Sequence, residues 1–146
     1  MTDNPAGFAS FSEMLKRALG AKVDQSAQSF IEMVTQDCVM EFPYAPEGGV
    51  KKVEGSAALA SYLTRVSKLV NIDQISEPTV HQTLNQDVVI LEFDCNGQGL
   101  ATGRPYNQRY ISVITLNQGQ IQHYLDYWNP LIAMDAIGDL SALAMK

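Results

Sequence analysis

The chain has 146 residues, 46% hydrophobic and 18% charged, which suits one domain with a sizeable core and excludes a disordered chain. A formal net charge of −6 leaves no basic footprint for nucleic acid or an anionic membrane surface. Two cysteines, Cys38 and Cys95, are too few for a disulfide scaffold, and no apolar run approaches the ~20 residues of a membrane helix.

Met1 to Gly7 lacks the basic start and apolar stretch of a signal peptide, so a reduced, soluble, cytoplasmic protein is expected. No Cys/His cluster suggests a metal. Phe8, Phe11, Leu15, Ala18 and Leu19 recur at helical spacing, with Ser10 or Ser12 as alternative caps and Gly20 as the stop. A second helix is expected from about Asp24, its buried stripe made by Ala27, Phe30, Ile31 and Val34. Asp37 to Phe42 reads as a short strand, with Val39 and Glu41 on one face and Cys38, Met40 and Phe42 on the other. Pro43 to Gly49 is loop. Gly55-Ser56 opens a third helix with Ser56 as cap and Ala58, Leu59, Tyr62, Leu63, Val66 and Leu69 facing inward.

After Val70 the period changes to that of strands. Ile72 to Leu84 is long and interrupted by Pro78, which points to an edge position or a bulge. Val88 to Cys95 follows the turn Asn85-Gln86-Asp87, and Asn96 to Gly103 forms a looser turn. Tyr106 to Asn117 is apolar on both faces, so both are expected to be covered. A tight hairpin then leads into Gln120 to Pro130. Asn129-Pro130 is a cap followed by proline at the first helical position, for a helix through about Ile137. The tail, Gly138 to Lys146, could dock or fray. Helices followed by an antiparallel meander make an α+β domain over residues 1–146, with helices on one face of a sheet curved enough to enclose a cavity.

The last strand carries the most chemistry. Alternation puts Gln122, Tyr124, Asp126 and Trp128 on one face and Ile121, His123, Leu125 and Tyr127 on the other. An acid between two aromatics reads either as the wet end of an apolar pocket or as an exposed edge-strand Asp.

Thr102-Gly-Arg-Pro-Tyr-Asn107, a strand, a Gly119 hairpin and Asp126-Tyr-Trp-Asn-Pro130 together resemble the SnoaL-like, ketosteroid-isomerase-related branch of the nuclear transport factor two superfamily. The resemblance implies a cone-shaped, cystatin-like curved antiparallel sheet, three N-terminal helices packed over it and a short C-terminal helix. This fold hosts isomerases, cyclases, epoxide hydrolases and plain binding proteins. The catalytic positions of the steroid isomerases fall here on Phe42, near Ala18, and on Gln108 or Arg109, so that residue set is missing. Limonene epoxide hydrolases resemble the C-terminal part more closely, and their last-strand Asp is kept as Asp126. Their Arg and second Asp map to Phe93 and Cys95, and their water-holding Tyr and Asn to Val39 and Glu41, which argues against the same epoxide chemistry.

Polyketide cyclases of the SnoaL type and the phenazine-biosynthesis A/B proteins resemble what survives: an acid on the last strand, in an aromatic pocket, moving protons without a cofactor. That resemblance implies that Asp126 and Glu41 both enter the cavity as an acid/base pair, one of them with a raised pKa. An exposed strand-end acid, or one paired to Arg109 or Arg104, is the alternative for Glu41. Tyr110, Trp128, Tyr124, Phe42, Phe93, Gln108, Ser112 and Tyr62 are the expected substrate contacts, with a core Tyr whose hydroxyl is satisfied as the alternative for Tyr110. His81 and His123 read as surface or interface residues, and Met14, Met33, Met40 and Met134 as core or pocket lining. The expectation is a cofactor-free isomerase, cyclase or lyase on a small, largely apolar, oxygen-bearing molecule, or else a binding domain of the same fold. By resemblance the chain is also expected to dimerise through the convex sheet face, with Ile121, Leu125, Ile111 and Val113 supplying the patch.

Overall fold

The computed structural model describes residues 6–144, with side chains for 9–142. The sequence before Ala6, the side chain of Phe8 and the end of the tail lie outside the described residues. In chain order the elements are α1 (Ala6–Leu19), α2 (Phe30–Met33), β1 (Val34–Glu41), β2 (Lys52–Glu54), α3 (Ser56–Ser67), β3 (Val70–Ile75), β4 (Thr79–Gln82), β5 (Val88–Gly99), β6 (Gln108–Asn117), β7 (Gln120–Tyr127) and α4 (Pro130–Ile137). Short 3₁₀ turns follow α1 and α4.

The strands form one curved, open sheet in the order β2-β1-β7-β6-β5-β3, with β4 also paired to β5. It is mixed, where an antiparallel sheet was expected: β1 runs parallel to β7, Met40 facing Tyr124 and Glu41 facing Leu125. Alternation is the same for either direction. No short turn joins β1 to β7, so packing sets their relative direction. The hairpins were plainer. Gln118 (φ 53°) and Gly119 (φ 83°) make the tight β6–β7 turn, where a left-handed backbone matches the twist of the strands. The break at Pro78 divides the expected long strand into β3 and β4, both on β5, and β3 is the edge.

The layer of three N-terminal helices is not formed as expected, because α2 is a single turn. Ser29 caps it by accepting from the Glu32 N–H at 3.3 Å, while the Glu32 carboxylate accepts from the Gln28 N–H at 3.0 Å. Upstream, Asp24 ties up Ser26 in a local turn, and downstream the β-branched Val34-Thr35 pair enters β1 instead of continuing the helix. In α3, Gly55 occupies the cap position and its N–H donates to the Cys38 carbonyl at 2.7 Å; Ser56 is the first helical residue and caps nothing.

A single apolar core lies between α1, α3 and the inner sheet face. The inner face follows strict alternation along β5, where Val89, Leu91, Phe93 and Cys95 are all buried. On β7 the alternation is broken by a register shift between Thr115 and Leu116 of β6. Ile121 therefore turns inward and is buried like Tyr124, which removes it from the outer patch assigned to it. The outer face of β6 is not covered within the chain: Ile111 is 41% exposed.

Candidate active site

Beyond the bulge, β7 keeps its period, and Tyr124, Asp126 and Trp128 all face inward. Their surroundings form a cavity of about 120 Å³ between the sheet, α1, α3 and α4. Its walls are aromatic. Phe42 packs on Tyr62 at 5.0 Å between ring centroids and on Trp128 at 6.3 Å; Phe30 meets Tyr124 edge-on at 5.8 Å; Phe93 stacks on Tyr110 at 5.2 Å. Phe11, Tyr106 and Met40 complete the aromatic and thioether lining, and Ala133 and Ile137 of α4 close one side.

Asp126 is the one acidic residue in that lining, which contains no Lys, Arg or His. Among the described residues no hydrogen bond or ion pair reaches its carboxyl. It is half-buried and lines the cavity. Burial alone pushes its pKa up to about 8. The same burial, with the Asp126 charge adding to it, raises the phenols of Tyr62, Tyr110 and Tyr124 and keeps them protonated. Cys95, also in the wall, is raised by burial and is a poor nucleophile.

Glu41 is not in this cavity. Met40 and Phe42 face inward, so Glu41 faces out, and its Oε2 lies 2.6 Å from His123 Nε2 across the β1–β7 pair. The expected pair of carboxylates is thus a single acid, and Glu41 follows the alternative reading of an exposed strand-end acid, though its partner is neither Arg109 nor Arg104. Arg109 binds Asp94 at 2.8 Å and Glu92 at 3.4 Å on the outer face, and Arg104 joins Asp135 of α4, fixing its own loop.

Two further expected contacts also prove structural. Gln108 is buried but does not line the cavity: its Nε2 donates to the Asn129 carbonyl at 2.8 Å and its Oε1 accepts from the Asn129 N–H at 2.9 Å. It thereby continues the strand pairing past Tyr127 and holds the start of α4, where Asn129 caps the Leu131 N–H. Ser112 is fully buried, its Oγ 2.6 Å from the Tyr124 hydroxyl. It satisfies that phenol behind the wall.

Tyr106 was missed as a site residue, although its signal was present: it shares parity with Gln108, Tyr110 and Ser112. Its N–H donates to the Gly97 carbonyl at 2.8 Å, so the strand register extends back into the Arg104–Asn107 loop and carries its ring inward. Phe11 and Phe30 had no such signal, since only the docking of α1 and α2 brings them to the cavity. Among the described residues no group of His, Cys, Asp and Glu could hold a metal ion, and no helix is long and apolar enough to cross a membrane.

A SnoaL-like domain family matches residues 15–124. Protein YesE of Bacillus subtilis (strain 168) is 39% identical over 131 residues, covering 90% of this chain and 89% of its own. A PhzA/B-like protein of Pseudomonas aeruginosa is 30% identical over 132 residues, covering 90% and 93%. A solved structure, a proposed isomerase from Bacillus subtilis, superposes with a TM-score of 0.73 at 34% identity over 95% of this chain and 97% of its own. The chain belongs to the SnoaL-like family.

Proposed function

We propose that this SnoaL-like domain is a cofactor-free acid/base enzyme, an isomerase, cyclase or lyase, acting on a small, largely apolar, oxygen-bearing molecule within a cone-shaped cavity. One observation carries the reading: Asp126 is a carboxyl with no hydrogen-bond or charge partner among the described residues, set in an aromatic cavity, with its pKa pushed up to about 8. A carboxyl that titrates near neutrality can both take and return a proton, which is what a general acid/base step requires. Structural carboxyls of this fold look different: Asp94, Glu92 and Asp135 all sit in ion pairs at the surface. The likeness to a proposed isomerase supports the same class of chemistry.

The proposed step needs only the chain's own residues. Asp126 as carboxylate accepts a proton from the substrate and, as carboxylic acid, delivers it elsewhere. Tyr62, Phe42 and Trp128 exclude water and press the ligand against Asp126, while Ser112 and Gln108 hold Tyr124 and α4 in place. Free, buried Cys38 and Cys95 suit the reducing, cytoplasmic setting that is part of the proposal.

The test is deuterium uptake from heavy water into a panel of small ketones, with ligand binding followed in parallel. Wild type should catalyse exchange beside the carbonyl, and Asp126→Asn should lower the rate by about a hundredfold or more. Ligands that bind both forms equally, with no exchange by either, would instead identify a non-catalytic binding domain.

A further inference from the structure

Proton transfer leaves one property of the cavity unused: its wall holds a carboxyl with nothing to balance its charge. The other polar groups there are engaged within the chain. The Tyr106 and Tyr110 oxygens stand 2.8 Å apart, with Gln108 also bonded to the first and the Cys95 thiol to the second. The Tyr124 oxygen lies 2.6 Å from Ser112 Oγ. Asp126 has no such contact among the described residues, and no Lys, Arg or His lines the cavity with it. Burial is the only influence on its titration, so no cation outside the wall reaches it either. Once ionised, it is a lone negative charge among aromatic rings.

Rings of this kind add to the attraction. A cation within about 6 Å of a ring centroid is drawn to the negative face of the π system, and more strongly where water is excluded. Phe42 is tilted by 30° on Tyr62 and by 45° on Trp128, and all three line the cavity with Asp126. Tyr62 already has the Arg65 guanidinium 6.0 Å from its centroid, outside that lining, which leaves Phe42 and Trp128 as the ring partners. Hydrogen bonding and size then narrow the cation. A primary ammonium brings three N–H donors, which engaged phenols and an otherwise apolar wall leave poorly satisfied. Methyl groups on the nitrogen remove those donors and suit the wall. The cavity measures about 120 Å³, and an apolar cavity of about 150 Å³ takes up benzene, so the cation is no larger than one ring.

We propose that this cavity binds a small N-methylated ammonium ion, held by the Asp126 carboxylate and the rings of Phe42 and Trp128. This ligand is a second class beside the oxygen-bearing substrate, and its binding does not require that Asp126 transfer a proton to carbon. Where Asp126 is protonated in the empty cavity, the cation takes the place of that proton: one proton leaves for each cation that enters, and the site stays neutral.

The probes are choline, a trimethylammonium, and 3,3-dimethylbutan-1-ol, the same shape with carbon in place of the charged nitrogen. Fluorobenzene reports whether the cavity is intact. In titration calorimetry at about pH 9, wild type should bind choline about tenfold or more tightly than the alcohol. Burial pushes the Asp126 pKa up to about 8, and the carboxylate is the binding form. Choline affinity should therefore rise about tenfold per pH unit below that value and level off above it, while affinity for the alcohol changes far less. Asp126→Asn should remove both the preference and its pH dependence and still bind fluorobenzene. Trp128→Leu should weaken choline several-fold more than the alcohol. Equal binding of the two probes by wild type, a flat pH profile for choline, or a preference kept in Asp126→Asn would overturn the cation site. Tighter binding of propylammonium than of choline would overturn the assignment to a methylated nitrogen. Choline binding that depends on Asp126, without ketone exchange, would remove the acid/base reading and leave the cation site; exchange without choline binding would do the reverse.

Discussion

A carboxyl in an aromatic pocket without a partner costs the fold stability, and the cost has a definite pH dependence. The ordinary Asp value is 3.8 and burial raises Asp126 to about 8. Between those values the folded chain binds more protons than the unfolded one, so stability falls as pH rises from about 4 to about 8 and then levels off. Asp126→Asn should abolish that slope: little change at pH 4, and a gain on the order of 3–5 kcal/mol at pH 9, read from urea unfolding at several pH values. Activity should move the opposite way, with exchange by wild type rising with pH to half its plateau near 8, since the carboxylate is the base. Glu41 provides the contrast. Its contact is with His123 on the outer face, and both side chains are a third or more exposed. Glu41→Gln should therefore leave ketone exchange unchanged and cost no more than about 1 kcal/mol in denaturant unfolding.

At the scale of elements, the cavity depends on how α4 meets the sheet. Gln108 grips Asn129 at the start of the helix, Arg104 joins Asp135, and the Thr102 hydroxyl donates to the Ala136 carbonyl at 2.7 Å. Gly99 of β5 lies directly beneath: a Cβ there would stand 1.9 Å from the Ala136 carbonyl oxygen, which belongs to backbone and cannot swing aside. Gly99→Ala should push α4 outward, cost about 2–3 kcal/mol in urea unfolding, and weaken fluorobenzene binding through displacement of Ala133 and Ile137. A variant of wild-type stability and wild-type affinity would show that α4 is not clamped at this point.

For the whole molecule, the outer sheet face raises the question of a partner. Ile90, Val113 and Leu125 lie in register across β5, β6 and β7, with Ile111 beside Tyr127 and Tyr44 edge-on to Tyr127 at 5.3 Å. Charged pairs, Glu41–His123 and Arg109 with Glu92 and Asp94, flank this stripe. We propose a homodimer through this face, as the family resemblance first implied. Wild type should sediment as a dimer, and Leu125→Asp as a monomer that still binds fluorobenzene, because its cavity lies on the other side of the sheet.

The amino-acid order alone determined whatever depends on local period and turn chemistry. The hairpins at Asn85 and Gly119, the Asn129-Pro130 helix start, the break at Pro78, and the shared face of Tyr124, Asp126 and Trp128 were all legible there. Glu41 shows the limit. Alternation set it opposite Phe42, and its place in the cavity came by resemblance; which of those faces is the concave one was decided by the pairing of β1 with β7. Ile121 required a bulge that leaves no mark in the alternation, and Val34 followed the strand partner it found and not the helical stripe it completes. Tyr106 opened the expected strand and shared the parity of Tyr110, but only the pairing of its loop with Gly97 carried its ring to the cavity. Pairing between strands far apart in sequence, and the burial it creates, are collective properties of the packed chain. They decided that Asp126 stands alone among aromatic rings while Glu41 and His123 meet on the opposite face.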